Sequence, residues 1–303
     1  MRRPPKAGRG PRLRSGRNQD RPPLRKALGQ HHLRSGATCR PLLEFLQPAG
    51  RTTVEIGPGG GVLTTELLEA GARVLALELD PAWADELRVR LLSAELEIRV
   101  ADALEFDWDA VPANSLVTGN LPYNVGTAIV ERVLRSRAVA RAGFLLQREV
   151  VDRLVAPPGD PAYGALSVRV ALRAEARRLG AVRRGSFVPP PKVDSAFVGF
   201  LPRPAPAPLA DGVEPRFESF VQEAFAMRRK TLVNCLAASF EREAVEEALR
   251  RLGRPPATRA EVLSLDELVA LFVALEAPRG GPPSRSGGPP SGTISDRGNE
   301  PNH

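Results

Sequence analysis

Long apolar runs are missing from this sequence: no stretch of its 303 residues approaches the ~20 that cross a bilayer. Cysteine is nearly absent. Cys39 and Cys235 are the only two and have no metal-type spacing, so they read as plain thiols of a reduced compartment, and no metal site is expected. The basic N-terminus lacks the apolar segment of a secretory signal, which points to a cytoplasmic protein without membrane association. Internal repeats are absent too. What is present is a composition 42% hydrophobic, in a chain long enough for one large or two modest domains.

Acidic residues are scarce in one region only. Residues 1–40 hold 12 Lys/Arg and one acid, Asp20, while the rest holds 31 basic against 34 acidic residues, so the net charge of +8 belongs to the N-terminal segment. An arm of that kind suits a polyanion such as RNA. Residues 1–25 are Arg/Pro/Gly-rich without periodicity and are expected to be a disordered basic arm, and the Gly/Pro/Ser-rich tail 278–303 reads the same way.

Between these ends, strands alternate with helices. Strands are expected at 53–56, 73–79, 96–100, 115–118 and 143–146. Helices are expected near 38–46, 63–70 and 127–134, and another after Asp80-Pro81, with Asp as N-cap and Pro in the first helical position. The alternation predicts an α/β domain over 26–205 with a parallel, doubly wound, Rossmann-like sheet. A Pro/Ala linker at 202–208 leads to four helical patterns, 216–227, 230–240, 243–252 and 264–276. The last opens with a capping box, Ser264 and Glu267, and 206–277 reads as a small all-α domain.

The chemistry centres on Asn120-Leu121-Pro122-Tyr123, at the carboxyl end of an expected strand, where open α/β sheets place ligands. Asn offers an acceptor and two donors. Proline fixes the backbone, so the carbonyl before it can be aimed. Tyrosine supplies a flat face with a polar tip. Together they suit a planar ring with an exocyclic amino group, such as adenine. Turn chemistry alone would also accept these residues; the neighbouring motifs decide.

Gly57-x-Gly59 follows a buried strand and lets backbone approach a ligand. Glu78 ends the next strand about twenty residues on, where an acid can take both hydroxyls of a ribose. Asp102 ends the third strand and can take an adenine amino group. The loop reads Gly-x-Gly-Gly-Gly, not the Gly-x-Gly-x-x-Gly that cradles a pyrophosphate, and Pro58 removes an amide donor. A nucleoside cofactor without phosphates fits better, namely S-adenosyl-L-methionine. That spacing and the Asn120 loop disfavour a dehydrogenase.

Further motifs stand in a recognisable order: Lys26-Ala-Leu-Gly-Gln-x-x-Leu33, Glu55-Ile-Gly-Pro-Gly59, Glu78-Leu-Asp80, Asp102-Ala103, Asn120-Leu-Pro-Tyr-Asn124, Gln147-x-Glu-Val-Val-x-Arg-Leu154, Ala162-Tyr-Gly-x-Leu-Ser167 and Phe187-x-Pro-Pro-Pro-Lys-Val-Asp-Ser195. In the helical part, Arg228-Arg-Lys-Thr-Leu232 and Arg259-Ala-Glu261 follow. From about residue 25 to 276 the chain resembles the KsgA-type rRNA adenine N6,N6-dimethyltransferases, which have a class I methyltransferase sheet. The resemblance implies cofactor contacts from His31, Leu33, Gly57, Gly59, Glu78, Asp102 and Asn120. It implies a catalytic loop of Asn120, Leu121, Pro122 and Tyr123, with Phe187 holding the target base opposite Tyr123. Arg228, Arg229 and Lys230 are the first candidates in the folded part for RNA contact.

The implied substrate is a pair of adjacent adenines in a hairpin loop near the 3′ end of 16S rRNA, modified by a monomeric enzyme during small-subunit assembly. Hydrogen bonds from adenine N6–H to the Asn120 side-chain oxygen and the Leu121 carbonyl would favour a pyramidal, nucleophilic nitrogen. The chain departs from the family at His31-His32, where Asn-Phe is usual. His31 still offers a donor or an acceptor. His32 replaces an apolar aromatic and is expected to loosen the segment. Two other readings stay open: a large-subunit rRNA methyltransferase giving macrolide resistance, and a small-subunit assembly factor with weak catalysis.

Overall fold

The computed structural model describes Pro22 and residues 31–209 and 212–277. The expected arm, apart from Pro22, the segment 26–30 and the expected tail lie outside the described residues. β1 (His32–Leu33) precedes α1 (Arg40–Leu46), β2 (Thr52–Ile56), α2 (Val62–Glu69), β3 (Arg73–Glu78), α3 (Pro81–Arg90), β4 (Leu96–Val100), β5 (Ser115–Asn120), α4 (Gly126–Arg135) and β6 (Val139–Gln147). Then come α5 (Arg148–Val155), α6 (Ala165–Arg173), β7 (Ala174–Val182), β8 (Phe187–Val188) and β9 (Ser195–Pro202).

One seven-stranded sheet runs β4-β3-β2-β5-β6-β9-β7, and β1 and β8 form a separate two-stranded ribbon. Strands β2 to β6 pair in parallel, as expected. β9 departs from that expectation, because it lies antiparallel between β6 and β7. The physical reason is the connection. No α-helix separates β7 from β9, and parallel neighbours need such a crossover, whereas antiparallel ones do not. No strand was expected at 174–182, where a register shift near Arg178/Gly180 and mixed exposure blur the period-two pattern.

Side-chain alternation builds a core on each sheet face. On β3, Leu75 and Leu77 join α4 residues Ile129, Val130, Val133 and Leu134, while Val74 and Ala76 join Leu42 and Leu46 of α1 and Leu63 and Leu67 of α2. The Asp80 carboxylate accepts the Ala82 N–H at 3.0 Å and starts α3, with Pro81 inside the first turn.

The strand predicted at 115–118 runs on through Asn120, with Asn120 opposite Leu145. Gly119 permits this central position. A Cβ there would stand 2.5 Å from the Ile56 carbonyl oxygen of β2. Backbone in mid-sheet cannot give way, so Gly119→Ala is expected to cost about 1–3 kcal/mol by overpacking. Urea denaturation checks this; a loss within the roughly 0.5 kcal/mol of an ordinary surface change contradicts the close approach.

After β9 come α7 (Glu214–Ala224), α8 (Leu232–Cys235), α9 (Arg242–Arg251) and α10 (Leu265–Glu276). Their core of Phe217, Phe220, Leu249, Leu268 and Phe272 also takes Tyr163, Val168 and Leu172 from the α6 region, and the Tyr163 hydroxyl donates to the Leu263 carbonyl at 2.9 Å. The capping box forms as expected: Glu267 N–H donates to Ser264 Oγ and Ser264 N–H to the Glu267 carboxylate. The expected helix 230–240 shrinks to α8, and the Arg-Arg-Lys run lies in a turn. Thr231 is extended there (φ −71°, ψ 158°), and Leu232 N–H is taken by the Thr258 carbonyl rather than by a preceding turn. No helix among the described residues is long and apolar enough to cross a membrane.

Candidate cofactor and base site

Carboxyl ends of β2, β3 and β5 converge on one cavity of about 200 Å³. His31, Leu33, Gly57, Gly59, Glu78, Asp102 and Asn120 all line it, with Leu121, Pro122 and Tyr123. Topology brings them together: β5 sits beside β2, where the strand order turns, and that crevice is where doubly wound sheets bind ligands.

The glycine loop is built from left-handed residues, with φ of 65° at Gly57, 45° at Gly59 and 72° at Gly61. L side chains rarely adopt that conformation. At Gly57 nothing lies within 4 Å of where a Cβ would stand, so the loop leaves open space. Glu78 holds the loop: one carboxylate oxygen accepts Gly59 N–H at 3.1 Å and the other accepts Asp80 N–H at 3.0 Å. Each oxygen keeps a second acceptor direction. Burial raises the Glu78 carboxyl above its usual range, and the backbone N–H groups of Asp80, Gly59 and Leu79 oppose that rise. Asp102 is exposed; one oxygen accepts Leu104 N–H at 2.8 Å and the other is available to a ligand amino group. A glycine cradle, an acceptor pair at the end of β3 and an acid at the end of β4 fit the nucleoside of S-adenosyl-L-methionine.

Asn120 ends β5 with its amide already committed. Its Nδ2 donates to the His31 carbonyl at 2.6 Å. That bond spends a donor and leaves Oδ1 as the acceptor of the side chain. Leu121 N–H is spent on the Leu145 carbonyl, and the Pro122 carbonyl accepts Val125 and Gly126 N–H to start α4. Among the described residues no donor takes the Leu121 carbonyl. Asn120 Oδ1 and the Leu121 carbonyl are thus two acceptors side by side at the end of β5. The Tyr123 hydroxyl meets Ser195 Oγ at 3.2 Å, which anchors the ring at its polar tip.

Phe187 is placed otherwise than expected. Its ring is fully buried in the core with Leu33, its cross-strand partner, and it does not line the cavity. The face of Tyr123 is covered instead by His31, at 5.6 Å between ring centres and 27° between planes. The His31 ring is held by the Pro189 carbonyl, 2.8 Å from Nδ1. His32 also differs from its expectation, since it fastens the segment. Gly60 N–H donates to His32 Nδ1 at 2.8 Å, and the ring tilts against Trp83 at 4.6 Å.

Glu55, in the middle of β2, also borders the cavity. It is fully buried, its Oε2 has no partner, and burial, aided by the nearby Glu78 charge, pushes its carboxyl up to about 8. Burial thus favours its protonated form. The sequence marked Glu55 only as part of a motif. Its burial follows from the central place of β2, which a single strand's pattern does not reveal. Both cysteines are buried, and burial pushes the Cys39 thiol up to about 12, consistent with an inert group. Among the described residues no group of acids, histidines and cysteines could hold a metal.

Arg228, Arg229 and Lys230 are exposed in the α7–α8 turn, on the helical part and outside the cavity lining. Arg228 donates to the Pro161 carbonyl and lies 3.6 Å from Glu261.

The family described as ribosomal RNA adenine dimethylase matches residues 22–276. A ribosomal RNA small subunit methyltransferase A from Thermosynechococcus vestitus is 41% identical over 83% of this chain and 96% of its own length. Among solved structures, a dimethyladenosine transferase from Plasmodium falciparum shares the fold, with a TM-score of 0.69 and 22% identity over 82% of this chain and 98% of that one. The 23S rRNA methyltransferase ErmE gives a TM-score of 0.62 and 27% identity over 80% and 99%. With its glycine loop, Glu78 and the Asn-Leu-Pro-Tyr loop gathered around one cavity, and with a match over residues 22–276, the chain belongs to the ribosomal RNA adenine dimethylase family.

Proposed function

We propose that this protein transfers methyl groups from S-adenosyl-L-methionine to N6 of two adjacent adenines in the 3′-terminal hairpin loop of 16S rRNA, in the assembling small subunit. The observation that carries this reading is the Asn120 amide bound to the His31 carbonyl at 2.6 Å, which leaves Oδ1 to receive an N6–H. The cofactor supplies an electrophilic methyl group on a sulfonium. The chain supplies position and polarity. Glu78 would hold the ribose hydroxyls, Asp102 the cofactor's amino group, and the glycine loop would let backbone approach.

Hydrogen bonds from the target N6–H groups to Asn120 Oδ1 and the Leu121 carbonyl localise the nitrogen lone pair and aim it at the methyl group. No strong base is required, because the N6-protonated product is acidic and sheds its proton to water. Catalysis is then mainly orientation and electrostatics. The adenine must leave its stack to enter. Tyr123 offers its plate, and stacking is worth roughly 1–3 kcal/mol per base. His31 has to yield that face, or share it, when the base arrives.

Residues 26–205 carry the chemistry in this reading, and 206–277 with Arg228, Arg229 and Lys230 meet rRNA. The protein works as a cytoplasmic monomer. Labelled methyl donor, offered with unmethylated small subunits, large subunits and free rRNA, tests the assignment. Transfer to small subunits is expected, and transfer confined to large-subunit RNA would instead select the antibiotic-resistance reaction.

The basic arm should add RNA affinity without chemistry. Residues 1–25 carry nine Lys/Arg against one acid, and guanidinium groups pair with phosphates while staying charged. Deleting residues 1–24 is expected to weaken binding to small subunits and flatten its salt dependence, since fewer counterions are released. Turnover at saturating substrate should hardly change. Equal affinity and equal salt slope in the truncated protein would leave the arm without a role in binding.

A further inference from the structure

We propose that His32 is a positioning residue of the cofactor site, whose neutral imidazole fastens segment 31–33 across the glycine loop, so that methyl-donor binding is linked to loss of a proton from that ring. The inference rests on the cofactor reading above and adds to it a dependence that belongs to this chain.

The geometry is specific about the proton. Gly60 N–H points at His32 Nδ1 from 2.8 Å, and a backbone N–H can only donate, so Nδ1 must be the acceptor. In the neutral ring the hydrogen then sits on Nε2. A doubly protonated ring would turn Nδ1 into a second donor facing the first. The fit leaves no slack to absorb this. A Cβ at Gly59 would stand 2.7 Å from His32 Cε1, one at Gly60 would stand 2.9 Å from Nδ1, and Trp83 closes the ring from α3.

What the ring fastens matters for both halves of the site. His32 and its two neighbours line the cavity, and β1 pairs with β8 through His32–Val188 and Leu33–Phe187. One residue earlier, the His31 carbonyl holds the Asn120 amide. Displacing the segment from Gly60 therefore disturbs the glycine loop on one side and the Asn120 acceptor on the other. An aromatic hydrocarbon at position 32 could fill the same space against Trp83, but it could not accept the Gly60 N–H.

Charged groups stand on the elements near the ring. Glu78 ends β3 and holds the adjacent Gly59 N–H, and Asp80 caps α3. Glu86 and Arg90 on α3 pair at 3.0 Å, and Arg90 also donates to the Gly60 carbonyl. Glu66 stands on α2, against Gly36, and Glu55 lies deeper on β2. The ionised acids would favour a cation here and Arg90 would oppose one. The Gly60 bond is lost in the cationic form whichever prevails.

Calorimetry with S-adenosyl-L-homocysteine and the full chain, between pH 8 and pH 5.5, tests the proposal. Affinity is expected to fall several-fold across that range, because the bound arrangement excludes a second proton on the ring. His31→Asn should keep the dependence. His32→Asn should remove it, because Asn Oδ1 can accept the Gly60 N–H and does not titrate. A parent affinity constant over the range overturns the proposal, as does a His32→Asn variant that falls like the parent. Nitrogen-15 spectra of the parent's imidazoles give a readout independent of any variant: His32 with its hydrogen on Nδ1 at pH 8 would contradict the assignment. Absence of binding at pH 8 would count against the cofactor reading itself, a separable result.

Discussion

Asn120→Ala keeps the fold and loses about 10²–10³ of the methyl-transfer rate, the usual cost of removing one pre-aimed polar group. Asn120 is the last residue of β5, its backbone paired opposite Leu145 of β6, so the side chain's base is fixed by the sheet. Its Nδ2 is spent on the His31 carbonyl, so Oδ1 cannot swap places with it without setting acceptor against acceptor. Alanine removes that oxygen and leaves the sheet pairing intact. Turnover on small subunits, with S-adenosyl-L-homocysteine affinity and thermal stability as controls, reads the effect. Rates within a few-fold of the parent would show that Asn120 does not hold the reacting nitrogen. A variant that also loses cofactor binding would place the residue's main work on the cofactor side.

Glu55→Gln is expected to gain stability in alkaline solution and none in acid. Burial raises the Glu55 carboxyl from 4.5 to about 8, so the folded state prefers it protonated. The sign follows. Below pH ~4.5 the group is protonated folded and unfolded, and its contribution is complete. As pH rises toward about 8 the unfolded chain ionises freely while the folded chain resists, and stability is lost across that window. At 1.36 kcal/mol per pH unit the loss amounts to several kcal/mol, at most about 5. Glutamine has nearly the same shape and no charge to bury. Denaturant midpoints at pH 5 and pH 8.5 should therefore diverge in the variant's favour as pH increases. Parallel curves for parent and variant would mean that Glu55 ionises in the fold without penalty, through water that reaches the unpartnered Oε2.

Much of this site could be read before the fold was known, for a physical reason. Gly57, Glu78, Asp102 and Asn120 each lie at the end of a parallel strand or within two residues of it, and the carboxyl ends of those strands meet at one edge of the sheet. Strand-end residues thus become neighbours without any knowledge of register. Surroundings that depend on pairing between distant segments are not legible in this way. Phe187 disappears into the core because β8 pairs with β1, an association of two-residue strands that no periodicity announces. His32 looked like a poor substitute for an aromatic side chain until its nitrogen met Gly60, 28 residues away. β7 is not legible because a register shift and exposed arginines interrupt its alternation, and β9 because its buried run shows no period of two; with them goes the antiparallel pairing that carries Ser195 to the Tyr123 hydroxyl. In the helical part, the Ser264–Glu267 cap was legible because it is local. The turn holding Arg228 to Lys230 was not, because a tertiary bond from Leu232 to Thr258 ends the helical pattern there.

Nucleoside analysis of rRNA after the reaction tests the central claim most directly. Unmethylated small subunits are incubated with the protein and S-adenosyl-L-methionine, their RNA is digested, and modified nucleosides are identified and mapped by mass spectrometry. The arrangement of Asn120, Leu121 and Tyr123 beside the glycine loop predicts N6,N6-dimethyladenosine at two adjacent positions near the 3′ end of the small-subunit RNA, and a loss of that product in the Asn120→Ala protein. A methyl group found on another base or on a ring nitrogen, or only on large-subunit RNA, would contradict the account.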